Sequence, residues 1–92
     1  MNIELQNKSV DERRTLIETW VVKELTSLLG VDSGQIHSNV TFDNFGLDST
    51  SAVTLVGSLE DWLEHPLTPN LVYQHPTVRM LSQHLASTLE LT

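Results

Sequence analysis

Phe45-Gly46-Leu47-Asp48-Ser49 runs directly into Thr50-Ser51-Ala52-Val53-Thr54-Leu55-Val56-Gly57-Ser58-Leu59-Glu60-Asp61-Trp62-Leu63, and this junction decides the fold. Ala52, Leu55, Val56, Leu59 and Leu63 recur at helical spacing, which predicts an amphipathic helix with one inward stripe. Asp48 and Ser49 stand where that helix begins, and either can cap it. A hydroxyl at this place lies at the positive end of the helix dipole, among N–H groups without helical partners, where a phosphate ester is stabilised. Spacing alone leaves two readings open: a plain helix cap, or an attachment point for a phosphorylated group.

Upstream, Ser9-Val10-Asp11-Glu12 places Ser and Glu three apart, the signature of a capping box. Ile17, Trp20, Val21, Leu25 and Leu28 follow at helical spacing until Gly30 stops the run. Residues 1–8 are expected to form a flexible tail and 9–92 a single domain. Residues 30–47 show no sustained period, yet Val40, Phe42, Phe45 and Leu47 are too apolar for a solvated linker, so a loop packed on the core is expected. Downstream, Pro66 and Pro69 bound a connector, and Asn70-Leu71-Val72-Tyr73 forms a single turn. Thr77 then caps a last helix whose inner face is Val78, Leu81, Leu85 and Leu89. The expected fold is all-α: a small four-helix bundle of three principal helices plus one short helix. Trp62 falls between core and rim.

A chain of 92 residues makes one domain and leaves no room for a large enclosed active site. With 39% hydrophobic but only 5% aromatic residues, the core is built from Leu and Val. There is no cysteine, which excludes disulfides, thiolate chemistry and cysteine-ligated metal. The first seven residues have neither a basic segment nor a long apolar stretch, so no signal peptide or membrane span is expected there and a cytoplasmic location is. The net charge is −7, and no Lys or Arg occurs between Lys23 and Arg79, an interval that holds Asp32, Asp43, Asp48, Glu60, Asp61 and Glu64. Such a surface repels nucleic acid and anionic membrane and attracts enzymes that present Arg and Lys. Val53, Gly57, Glu60, Asp61 and Glu64 lie opposite the inward stripe, which makes that side of the helix a candidate partner face.

No catalytic or metal site is expected. Leu47-Asp48-Ser49-Thr50-Ser51 lacks the flanking glycines of a nucleophile elbow, and no strand precedes it. His37, His65, His75 and His84 form no pair four apart on one helix, and surface or capping positions account for all four. Gly30, Gly34, Gly46 and Gly57 are too dispersed to cradle a nucleotide.

Phe45-Gly46-Leu47-Asp48-Ser49, with Leu55 and Leu59-Glu60, resembles the attachment motif of acyl carrier proteins. His75-Pro76-Thr77-Val78 and the apolar helix after it resemble the segment that opens the last helix in carrier domains of polyketide synthases. The resemblance covers about Asp11 to Leu89. It implies a non-catalytic carrier with 4′-phosphopantetheine on Ser49, transferred from coenzyme A by a phosphopantetheinyl transferase, and with Asp48 capping the helix and presenting the serine. Further partners implied are an acyl-loading enzyme (an acyltransferase or acyl-adenylating ligase) and a ketosynthase or other synthase enzymes. They would meet a monomer at Thr50, Val53, Thr54, Gly57, Glu60, Asp61 and Glu64. Thr50 departs from the leucine that usually follows the serine, and Thr54 from a frequent acidic residue; both lie where partners dock and bear on partner choice. Aspartate before the serine resembles the acyl type more than the peptidyl type, which implies polyketide, specialised-lipid or fatty-acid biosynthesis. The alternatives are a peptidyl carrier of nonribosomal peptide synthesis and an unmodified helical interaction module.

Overall fold

Ser9 Oγ accepts the Glu12 N–H and Glu12 Oε1 accepts the Ser9 N–H, both at 3.2 Å, so the capping box closes and α1 runs Val10–Leu29. Gly30, at φ 67°, ends it in the left-handed conformation and donates its N–H to the Thr26 carbonyl. The structure is a computed structural model that describes Leu5 and residues 7–90, of Leu89 and Glu90 the backbone alone. Three further helices follow: α2 Ser49–Leu63, α3 Leu71–Gln74 and α4 Val78–Glu90. Among the described residues no helix is long and apolar enough to cross a membrane.

The helices enclose one core. Ile17, Val21 and Leu25 of α1 and Leu81, Leu85 and Ala86 of α4 are buried in it, these two helices making the most extensive pairing among the described residues, and α2 adds Ala52, Leu55, Val56, Leu59 and Leu63. Every residue of the stripe expected on α2 is buried. Leu71 and Val72 of α3 are buried in the same core. Truncating a fully buried leucine such as Leu55 or Leu59 to alanine costs about 2–5 kcal/mol in such a core. Trp20 and Leu28, expected on the inner face of α1, are half-buried instead and pack at its edge. Trp20 stacks on Trp62 with ring centroids 4.9 Å apart, which resolves Trp62 as a rim residue joining α1 to α2. Leu89, expected on the inner face of α4, lies outside the described side chains.

The expectation of a loose tail over residues 1–8 fails at Leu5, whose side chain is fully buried in the core. The Lys8 carbonyl also accepts a hydrogen bond from Arg13 Nη2 at 2.9 Å. The remaining residues of that stretch up to Gln6 lie outside the described ones.

The loop between α1 and α2 packs on the core, as its apolar content requires: Ile36, Phe42 and Leu47 are buried, and Val40 and Phe45 are half-buried. Two short 3₁₀ turns, Ser33–Gln35 and Phe42–Phe45, satisfy part of its backbone. Thr41 pairs with Thr77 as an antiparallel bridge, the Phe42 N–H donates to the Pro76 carbonyl at 2.8 Å, and the Arg79 N–H donates to the Ser38 carbonyl at 3.0 Å. The loop is thereby tied to the start of α4, where Thr77 Oγ1 accepts the Met80 N–H as the expected cap.

Candidate functional site

Gly46 makes the turn that delivers the chain to α2. Its φ of 83° is left-handed, and its N–H closes the Phe42–Phe45 turn on the Asp43 carbonyl. A Cβ there would meet nothing within 4 Å, so the requirement for glycine is conformational rather than steric. The next N–H, that of Leu47, donates to the Phe42 carbonyl at 3.2 Å, and the Leu47 side chain is buried. Asp48 leaves this anchor extended and becomes the N-cap of α2, its Oδ1 accepting the Ser51 N–H at 2.8 Å. That bond, with contributions from the Ser51 hydroxyl and the Thr50 N–H, holds the Asp48 carboxyl below the ordinary aspartate range.

Ser49 is therefore the first residue of α2, and it is exposed. The cap is Asp48 rather than Ser49, which leaves the serine hydroxyl for chemistry. Asp48 also takes the Ser51 N–H, so a phosphate ester on Ser49 would share the helix N-terminus with a carboxylate instead of having all its N–H groups.

Of the expected partner face, Thr50, Val53, Thr54, Gly57, Asp61 and Glu64 are exposed and follow one another along α2. Val53, at 55% exposure, is among the largest exposed apolar groups. Glu60 differs: it is half-buried, and its Oε2 accepts the Leu67 N–H at 2.9 Å, tying the connector after α2 back to the helix. Periodicity could not have shown this, because Leu67 returns to Glu60 only through the fold. Glu64 ends α2 at φ 56°, with its N–H on the Glu60 carbonyl.

Tyr73 is absent from the residues singled out by sequence, since a four-residue helix has no period to read. It is 62% exposed and, with Asp43, Leu47 and Ala52, lines a cavity of about 140 Å³ between the loop, α2 and α3. Leu47 and Ala52 flank the serine turn, so this cavity adjoins it. A wider depression of about 930 Å³ between α1 and the loop shares no residue with the serine turn. His75, the C-cap of α3, stacks on His84. No cluster of three metal-binding side chains occurs among the described residues.

The sequence profile of the phosphopantetheine attachment site matches residues 19–85, which include the whole serine turn, α2 and α3. The chain belongs to this family. Carrier domains of the family bear a covalent 4′-phosphopantetheine and are not themselves catalysts. This carrier domain is 34% identical over 86 residues to erythronolide synthase EryA2 of Saccharopolyspora erythraea, covering 92% of this chain and 2% of that protein. It is 33% identical over 72 residues to malformin synthetase mlfA of Aspergillus brasiliensis, covering 78% of this chain and 1% of that protein. It thus spans a very small part of such relatives. Among solved structures, a free-standing peptidyl carrier protein from Acinetobacter baumannii superposes with a TM-score of 0.80 at 28% identity, over 83% of this chain and 95% of that one. An acyl carrier protein from Anabaena sp. PCC 7120 with a variant phosphopantetheinylation-site sequence gives 0.74 at 34% identity, over 90% of each. The residues present fit the group: a capped turn, an exposed serine and an adjoining, mostly apolar cavity to which Thr41, Asp43 and Tyr73 add polar groups.

Proposed function

We propose that Ser49 carries the phosphopantetheine and that the domain holds acyl groups for the enzymes of a polyketide or specialised-lipid pathway. The observation that carries this reading is the exposed Ser49 at the first position of α2, inside the matched segment. Ser51 and Ser58 of the same helix are half-buried, and Ser82 of α4 is fully buried. In the transfer, Ser49 Oγ forms a bond to phosphorus of the coenzyme A pyrophosphate, the bond to adenosine 3′,5′-bisphosphate breaks, and the serine proton leaves to a base. When bound, the group supplies a terminal thiol on which an acyl chain is held as a thioester.

The chain's own residues do the rest. Asp48 holds the first turn of α2, Phe42 and Leu47 anchor the turn before it, and Thr50, Val53, Thr54, Gly57, Asp61 and Glu64 form the face that meets the transferase, the acyl-loading enzyme and the ketosynthase. Tethering raises the effective concentration of the acyl group at each of these enzymes. The acidic stretch of α2 steers partners that present cations. Glu60 is assigned to holding the connector rather than to contact. A cytoplasmic monomer is the working form in this reading.

Similarity to erythronolide synthase and the aspartate before the serine support the acyl branch. Similarity to a free-standing peptidyl carrier supports a second reading, in which an amino-acid-adenylating enzyme loads the domain. The deciding experiment is the intact mass after incubation with coenzyme A, magnesium and a broad-specificity phosphopantetheinyl transferase. One added phosphopantetheine on the parent and none on Ser49→Ala is the expected result. Folded parent protein that gains nothing would overturn the assignment.

A further inference from the structure

The start of α4 and the loop leading to Ser49 share their backbone hydrogen bonds. In the first turn of α4, the Met80 N–H donates to Thr77 Oγ1 at 3.1 Å, while the Arg79 N–H donates to the Ser38 carbonyl of the loop at 3.0 Å. The orphan donors of a helix N-terminus are thus divided between one side chain and one distant loop carbonyl. In return the loop donates the Phe42 N–H to the Pro76 carbonyl at 2.8 Å, and Thr41 pairs with Thr77. The Thr77 side chain is buried within this clasp. From Phe42 the connection continues without a free joint: its carbonyl accepts the Leu47 N–H, both side chains are buried, and Asp48 follows as the cap of α2.

We infer that Thr77 is a positioning residue for the modification of Ser49. Its hydroxyl fixes the first turn of α4, that turn fixes Thr41 and Phe42, and Phe42 fixes the turn that presents the serine. Without the hydroxyl, the Met80 N–H loses its partner, and the first turn relieves this by rotating away from the loop, which breaks the bonds at Arg79 and Phe42 together. None of Thr77's partners lies on the exposed face of α2, so docking of the transferase is left unchanged. The inference rests on the reading of Ser49 as the attachment residue.

The test compares the parent, Thr77→Val and Thr77→Ser as substrates of a broad-specificity phosphopantetheinyl transferase, with amide hydrogen exchange measured on each. Thr77→Val is expected to lower the saturating rate roughly three- to tenfold with KM unchanged, because a displaced nucleophile weakens the transition state and not docking. Thr77→Ser restores the rate. A merely structural role would instead raise KM in inverse proportion to the folded fraction and leave the saturating rate alone, and that split overturns the inference. In the unaltered protein, the Phe42, Leu47 and Arg79 amides are expected to open with one shared free energy. Independent opening of Phe42 and Arg79 overturns the inference even where the valine variant does not fold. A parent that takes up no phosphopantetheine while these amides open together removes the reading of Ser49, and the positioning role with it.

Discussion

His75 and His84 stack ring on ring across the junction of α3 and α4, with centroids 4.0 Å apart and planes 18° apart. His75 ends α3, its N–H on the Leu71 carbonyl, and His84 lies midway along α4, so the contact joins the two helices. Burial, and after it the charge of His84, pushes the His75 pKa below the ordinary histidine value. Arg79 lines the same depression, and His65 lines the one on the other side of His84. Among the described residues no carboxylate lines either depression, so positive charge gathered here is not offset locally.

The pH dependence follows from that depressed value. Unfolded His75 titrates near 6.5, and folded His75 below it, so between the two the unfolded chain binds more protons. The contribution is fully present above the unfolded value and is lost as pH falls below it toward the folded one. The urea midpoint is expected to fall between about pH 7.5 and about pH 5.5 and to fall less in His75→Gln. An equal fall in the variant would refute the assignment. Glu12 and Asp48, whose pKa values are lowered from 4.5 and 3.8, lose their contributions only at lower pH and do not enter this window.

Ser82 is fully buried on the inner face of α4, and its Oγ has no hydrogen-bond partner. Replacing it with alanine removes an unpaired polar atom and leaves only a small void. Ser82→Ala is expected to raise stability by about 1 kcal/mol. The check is a higher urea midpoint at unchanged m-value, and a lower midpoint would show that the hydroxyl contributes to packing.

Much of this architecture was legible wherever one element carried its own pattern. The α2 stripe is buried because that helix lays a full face on the core, and Asp48 caps it because a short acceptor before an apolar run has few other uses. The loop could be recognised as packed, from Phe42 and Leu47, but its attachment to Pro76 and Arg79 could not, because backbone groups carry no sequence identity. The burial of Leu5 is not legible because the short alternation of Met1, Ile3 and Leu5 with polar residues lies ahead of the first helix signal and has no helical period. Helical spacing places Glu60 opposite the inward stripe, but its bond to the Leu67 N–H is set by the returning connector, which no spacing within α2 reveals.

Gly57 lies inside α2 with ordinary helical φ, and a Cβ there would meet nothing within 4 Å. Gly57→Ala is therefore expected to stabilise the fold by about 0.5–1 kcal/mol, chiefly by restricting the unfolded chain. If partners approach the α2 backbone closely at this point, the same methyl raises KM for phosphopantetheine transfer. Thermal unfolding and transferase kinetics on one preparation separate the two effects. Higher stability with unchanged KM would place the contact elsewhere on the helix.

Asp61, on the last turn of α2, and Glu64, its C-cap, are exposed in the long interval without Lys or Arg, whereas Glu60 beside them holds the Leu67 N–H. Steering by the exposed pair acts on encounter and is screened by salt, while the Glu60 bond acts on the fold. Asp61→Lys with Glu64→Lys is expected to raise KM for the transferase roughly three- to tenfold at low ionic strength, with the difference shrinking toward about 0.5 M salt and the unfolding midpoint little changed. Glu60→Ala is expected to show the opposite pattern, a lowered midpoint with a salt-independent effect on KM, because it frees a backbone donor instead of removing a steering charge. Reversal of Asp11, an exposed acid on the first turn of α1, serves as the control for net charge. An equal rise in KM from Asp11→Lys would mean that partners respond to total charge and not to the α2 face.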